Sequence, residues 1–134
     1  MSKLDKLTCH IINCGYVNAE SVTSIQNSIE ITATGRPIAS SENVIIFEKS
    51  YLANITIVGF PHQRISENDL FAQISSWLLA NDANSIGQNK FNIFVNTAND
   101  ETAEIEIELY FKEYIIGVSD INGNIMINNN KFSL

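Results

Sequence analysis

Glu104, Glu106 and Glu108 alternate with Ile105, Ile107 and Leu109, which projects three carboxylates from one side of an extended chain and three aliphatic side chains from the other. Alternate strand residues lie about 6–7 Å apart, close enough for neighbouring carboxylates to divide acid and base roles or to share a metal ion. A solvated strand face accounts for the same pattern without catalysis. His62, Ser66 and Glu67 contain the residue types of a nucleophile set, but a triad needs spatial geometry that adjacency does not supply, and a helix start explains them more simply. Asp120-Ile121-Asn122-Gly123-Asn124 is rich in oxygen ligands, yet the sixth position of a calcium loop would be Ile125 instead of Gly and the twelfth Lys131 instead of Glu. Cys9, Cys14, His10 and His62 are the soft or imidazole ligands, and they include neither a Cys-x-x-Cys pair nor a paired-His spacing, so no zinc site is expected within one subunit. Five residues apart on a helix, the two thiols point in different directions, which argues against a disulfide and for small buried side chains. The glycines at 59, 87, 117 and 123 are isolated, so no phosphate-cradling loop is present, and no cofactor is expected.

The chain has 134 residues and a formal net charge of −7, with 45% apolar and 17% charged residues. This length suits one domain spanning residues 1–134, able to bury about two-thirds of its unfolded surface. The negative charge opposes binding to nucleic-acid phosphate or an anionic membrane, which leaves protein as the expected partner. No apolar run approaches the roughly 20 residues needed to span a bilayer, and Met1 to Lys6 lacks the features of a secretory signal. A cytoplasmic site of synthesis and residence follows as the expectation.

Leu4, Leu7, Ile11 and Cys14 recur at helical spacing before Gly15, which predicts a short N-terminal helix with a left-handed cap. Ile25, Ile29, Ile31 and Ala33 predict a strand ending at Gly35-Arg36-Pro37, paired as a hairpin with a long strand over Val44 to Val58. In the latter, Tyr51, Ala53, Ile55 and Ile57 share one face while Val44, Ile46 and Glu48 belong to the other, a parity change that a bulge near Lys49-Ser50 or a change of partner would reconcile. Ser66 is the expected N-cap of a second helix running to about Ala80, with Leu70, Ile74, Trp77 and Leu78 as its buried stripe. Further strands are expected over Phe91 to Val95, the acidic stretch, Tyr114 to Val118 and Ile125 to Ile127, the last two joined through an Asn122-Gly123 hairpin turn. Asn128 to Leu134 reads as a loose tail. The resulting fold class is α+β, a mostly antiparallel sheet with a central amphipathic helix and a short N-terminal helix.

Several segments, in this order, resemble the phage tail completion protein R (GpR) family of peduovirus-like contractile-tailed phages. They are Glu30-Ile31-Thr32-Ala33-Thr34-Gly35 at a first strand end, Phe47 and Tyr51-Leu52 before a turn, and Gly59-Phe60 at a strand end, where Gly59 departs from an acidic residue. Trp77-Leu78 in the central helix, the acidic-apolar strand from Glu104 to Leu109, and the continuation to Ile115 complete the set. The resemblance implies a tail-terminator-like, non-enzymatic structural protein of a phage or prophage. Such a protein would act in the host cytoplasm during assembly and then in the virion tail. Its implied partners are further copies of itself, in a ring expected to be a hexamer, and tail tube or head-tail connector proteins. Heterologous contacts generate such a ring.

Two other classes compete: a small acidic adaptor or secretion-chaperone-like module, marked by a dimer with a peptide groove, and a small hydrolase or metal-dependent enzyme using the glutamate face, marked by a pocket joining it to His10 or His62. Under the assembly reading the contact segments are the connections Arg36 to Asn43 (with Pro37), Asn81 to Lys90, and Asn96 to Thr102 (with Asp100). Glu104, Glu106 and Glu108 then form a partner face, or line a lumen and repel DNA phosphate.

Overall fold

The helical and alternating patterns resolve into two helices and six strands in the computed structural model, which describes residues 1–82, 90–97 and 99–134. In chain order these are α1 (Lys3–Asn13), a 3₁₀ turn (Ala19–Ser21), β1 (Val22–Pro37), β2 (Val44–Phe60), α2 (Glu67–Asn81), β3 (Phe91–Thr97), β4 (Ala103–Ser119), β5 (Ile125–Ile127) and β6 (Asn130–Ser133). The fold is α+β with an antiparallel sheet in the order β1-β2-β4-β6-β5, and β3 pairs with β4. The chain divides into two compact units, Met1–Asn27 with Leu52–Phe111, and Ser28–Tyr51 with Lys112–Leu134.

The first unit holds both helices. α1 begins in a capping box, Ser2 Oγ accepting from the Asp5 N–H and the Ser2 N–H donating to the Asp5 carboxylate, both at 3.1 Å. It ends at Cys14, whose N–H reaches the His10 carbonyl, and Gly15 follows in the left-handed region. Ser66 caps α2 by accepting from the Asn68 N–H. Leu4, Leu7 and Ile11 of α1 are buried, as are Leu70, Ile74, Trp77 and Leu78 of α2. The sheet supplies Ala53, Ile55 and Ile57 from β2 and Ile105, Ile107, Leu109 and Phe111 from β4, all buried, and Trp77 meets Phe111 edge to face at 6.2 Å. Each fully buried aliphatic or aromatic side chain contributes about 1.5–3 kcal/mol. Lys3, at the start of α1, pairs at 2.6 Å with buried Asp82, which caps the end of α2. A cation at a helix N-terminus and an anion at a C-terminus are each unfavourable to the helix dipole, and the pairing offsets both.

The second unit carries three corrections to the sequence reading. First, β4 does not stop after Phe111 but continues through Lys112-Glu113 to Ser119, so Tyr114 to Val118 is not a separate strand. Second, Asn128 to Leu134 is not a loose tail. Asn128 and Asn129 adopt positive φ (49° and 68°) and form a two-residue turn between β5 and β6, with Ile127 opposite Asn130. Third, β6 pairs with β4, placing Ser119 opposite Phe132, so β5 lies next to β6 and the expected hairpin of β4 with β5 does not form. Asn122-Gly123 instead turns the β4–β5 connection, where the Gly123 N–H donates to the Asp120 carbonyl at 2.9 Å and Asp120 Oδ1 accepts from the Asn122 N–H. β2 is continuous from Val44 to Phe60. Ile46 approaches Gly117, and Glu48 reaches Lys112.

Replacing Ile74 with Ala is expected to lower unfolding stability by about 2–5 kcal/mol in urea titration, because a fully buried side chain leaves a cavity. Gly123→Ala is expected to destabilise by about 1–3 kcal/mol or more, since a Cβ there collides with the Phe132 backbone. Amide exchange should rise first across β5 and β6.

Candidate functional site

In the first unit β3 and β4 present the acidic face. Their antiparallel register sets Glu104 opposite Asn96, Glu106 opposite Phe94 and Glu108 opposite Asn92. Glu106 is exposed, while Glu104 and Glu108 are half-buried. Phe94, in direct cross-strand contact range of Glu106, is 51% exposed, and Tyr110, the next outward residue after Glu108, is 73% exposed. The face is thus aromatic as well as anionic. Parity along β4 alone puts Tyr110 on the side of the glutamates.

The histidines are engaged elsewhere. His10 Nε2 donates to the Gln73 carbonyl at 3.2 Å, linking α1 to α2, and His62 Nε2 donates to the Asn99 carbonyl at 3.1 Å. Each carbonyl can only accept, so the proton lies on Nε2 in both rings. Neither imidazole is directed by these bonds toward a carboxylate, as a hydrolase centred on the glutamates would need. Ser66 is occupied as a helix cap. Among the described residues no group of three His, Cys, Asp or Glu side chains is arranged to hold a metal ion.

The candidate contact positions fall in varied settings. Arg36 and Pro37 end β1, Asn81 is the last residue of α2, and Asn96 lies within β3, so none of these four is in a loop. Most of the Asn81 to Lys90 connection lies outside the described residues; Lys90 itself is exposed just before β3. Asp100 is exposed in a turn organised by Asn99, whose Oδ1 accepts from the Glu101 and Thr102 N–H groups at 2.8 Å. Asn43 fastens the second unit, its carbonyl accepting from the Ile38 N–H and its Oδ1 from the Ser119 N–H. With Pro37, Val44, Lys131 and Phe132 it borders a cleft of about 610 Å³.

A cationic and aromatic cluster in the second unit has no counterpart in the sequence reading. Glu48 meets Lys112 at 3.4 Å and Arg36 at 3.8 Å, and both cations approach the Tyr114 ring, at 5.8 and 5.9 Å from its centroid. Tyr51, nearly fully buried, donates its hydroxyl proton to the Glu113 carboxylate. The cluster joins β1, β2 and β4, three segments far apart in the chain.

The fold and these surfaces describe a small α+β protein whose most developed features are exposed sheet faces. The chain belongs to the family P2 phage tail completion protein R (GpR), whose family model matches residues 1–131, well beyond the segments that first carried the resemblance. No curated protein and no solved structure matches it. Membership makes the chain a structural protein of phage tail completion, a virion tail component that interacts with other tail components. Among the described residues no helix is long and apolar enough to cross a membrane.

The cysteines depart from expectation: Cys9 is exposed and Cys14 half-buried, so they are not two buried thiols. Burial pushes the Cys14 thiol above its ordinary pKa, which reduces its thiolate fraction near neutral pH. Iodoacetamide at pH 8 is therefore expected to label Cys9 first, with Cys14 labelling more slowly and accelerating at higher pH, as followed by peptide mass mapping.

Proposed function

We propose that this chain is the repeating subunit of a ring, expected to be a hexamer, that caps or finishes the assembled tail tube and acts by assembly and not by catalysis. The observation carrying this reading is the family match across residues 1–131. The open surfaces support it. The second unit leaves eight large apolar side chains exposed against three buried, so its own core is small and its surface suits burial by other subunits. A ring built from heterologous contacts places each subunit's patch against a different patch on its neighbour. Assembly takes place in the host cytoplasm before the subunit is carried in the virion tail, with the tail tube or the head-tail connector as the adjoining component.

Removal of the protein from a phage that encodes it is expected to yield tails that fail to complete, imaged as tubes without a finished end. Adding purified protein should restore completion, with sixfold density at the tube end. Complete, infectious particles made without the protein would overturn the proposal, and a stable dimer holding a peptide in a groove would favour an adaptor or chaperone role.

A further inference from the structure

Two exposed strand faces of this chain are complementary in charge and alike in aromatic content. In the second unit, Tyr114, Ile116 and Val118 are alternate residues of β4, 48%, 37% and 46% exposed, so one side of the strand presents a continuous apolar row. A solvated strand would carry polar residues there. Arg36 and Lys112 border this row over the Tyr114 ring and share the single carboxylate of Glu48, a group of formal charge +1. In the first unit the glutamates flank exposed Phe94 and Tyr110. The formal charge is distributed unequally: the first unit has four basic against ten acidic residues, net −6, and the second four against five, net −1.

We propose that the Tyr114-Ile116-Val118 row docks onto a second copy of this chain, at that copy's Glu104-Glu106-Glu108 face. Phe94 and Tyr110 of that copy supply apolar cover, and its glutamates meet Arg36 and Lys112. The contact joins two different patches, so it propagates from copy to copy as a heterologous contact and closes into a ring if the rotation permits. Its composition, aromatic and aliphatic at the centre with charges at the border, matches specific protein interfaces, where complementary charge sets partner choice and register. The inference rests on the ring reading for its biological setting but not for its test, which reads self-association of the purified protein.

The experiment uses the full chain, alone and with isolated tail tubes, and measures copies per particle by native mass spectrometry and sedimentation velocity. Wild-type protein should form multimers in solution or on tubes, weakened by raised salt. Glu104→Lys/Glu106→Lys/Glu108→Lys and Arg36→Glu/Lys112→Glu should each weaken association by about tenfold or more. Mixing the two variants should restore it, because each reversed patch then meets an oppositely reversed one; a chain carrying both sets should also recover. Tyr110→Ala and Tyr114→Ala, at exposed positions, should weaken association while circular dichroism shows the chain still folded, which keeps the test open if a charge variant folds poorly. Failure of the mixture to recover, unchanged association in either variant, or single copies of wild type both in solution and on tubes would overturn the proposal. Association intact with DNA passage alone impaired would also overturn it, in favour of a lumen-facing acidic stripe. Charge-swap recovery in a protein that tails do not require would uphold this contact while rejecting the ring's role in completion.

Discussion

The strict alternation of β4 from Ala103 to Phe111 is the constraint on which the first unit depends. Its odd positions are nearly inaccessible to water, and any shift of register by one residue would exchange Ile105, Ile107, Leu109 and Phe111 for the glutamates and Tyr110. The desolvation cost of three carboxylates excludes that alternative. The same parity that buries one side therefore forces the other outward, and the acidic face follows from the core without separate specification. Edge contact of Trp77 with Phe111 ties α2 to this strand, while Lys3 and Asp82 tie α1 to the end of α2.

The second unit is built differently. Val44, Tyr51 and Phe132 are its buried apolar residues, so much of its order comes from close backbone approach and hydrogen bonding. Ile46 and Phe132 occupy the space in which a Gly117 side chain would lie, and the Phe132 backbone passes against Gly123. Asn43 and the Asn128-Asn129 turn add side-chain and turn chemistry in place of hydrophobic mass. A unit with so small a core and so many exposed apolar side chains is physically suited to gain stability on association. This exposed surface is the physical support for the ring proposed for this member of the GpR family.

Local periodicity made the helices and the buried faces legible. The stripe of α2, the N-cap at Ser66, and the inward set Tyr51, Ala53, Ile55 and Ile57 each depend on neighbours within a few residues. The break at Lys112-Glu113 interrupts apolar alternation, which hid the continuity of β4, and Asn130 to Ser133 is too polar to read as a strand unless its pairing partners are known. Exposure of Ile29 and Ile31 was equally hidden, because a period of two reports that residues share a side but not what covers that side.

The sequence by itself determined both helices, the inward and outward faces of β4 from Ala103 to Phe111, the anionic balance and the family to which the chain belongs, since all of these reside in local order or in the succession of motifs. Only the tertiary structure decided that Arg36, Glu48, Lys112 and Tyr114 form one cluster, that Phe94 stands beside Glu106, and that the last residues pair with β4 and β5. Those outcomes depend on strand order and register between distant segments, and the free energy that selects them is released only when the segments meet.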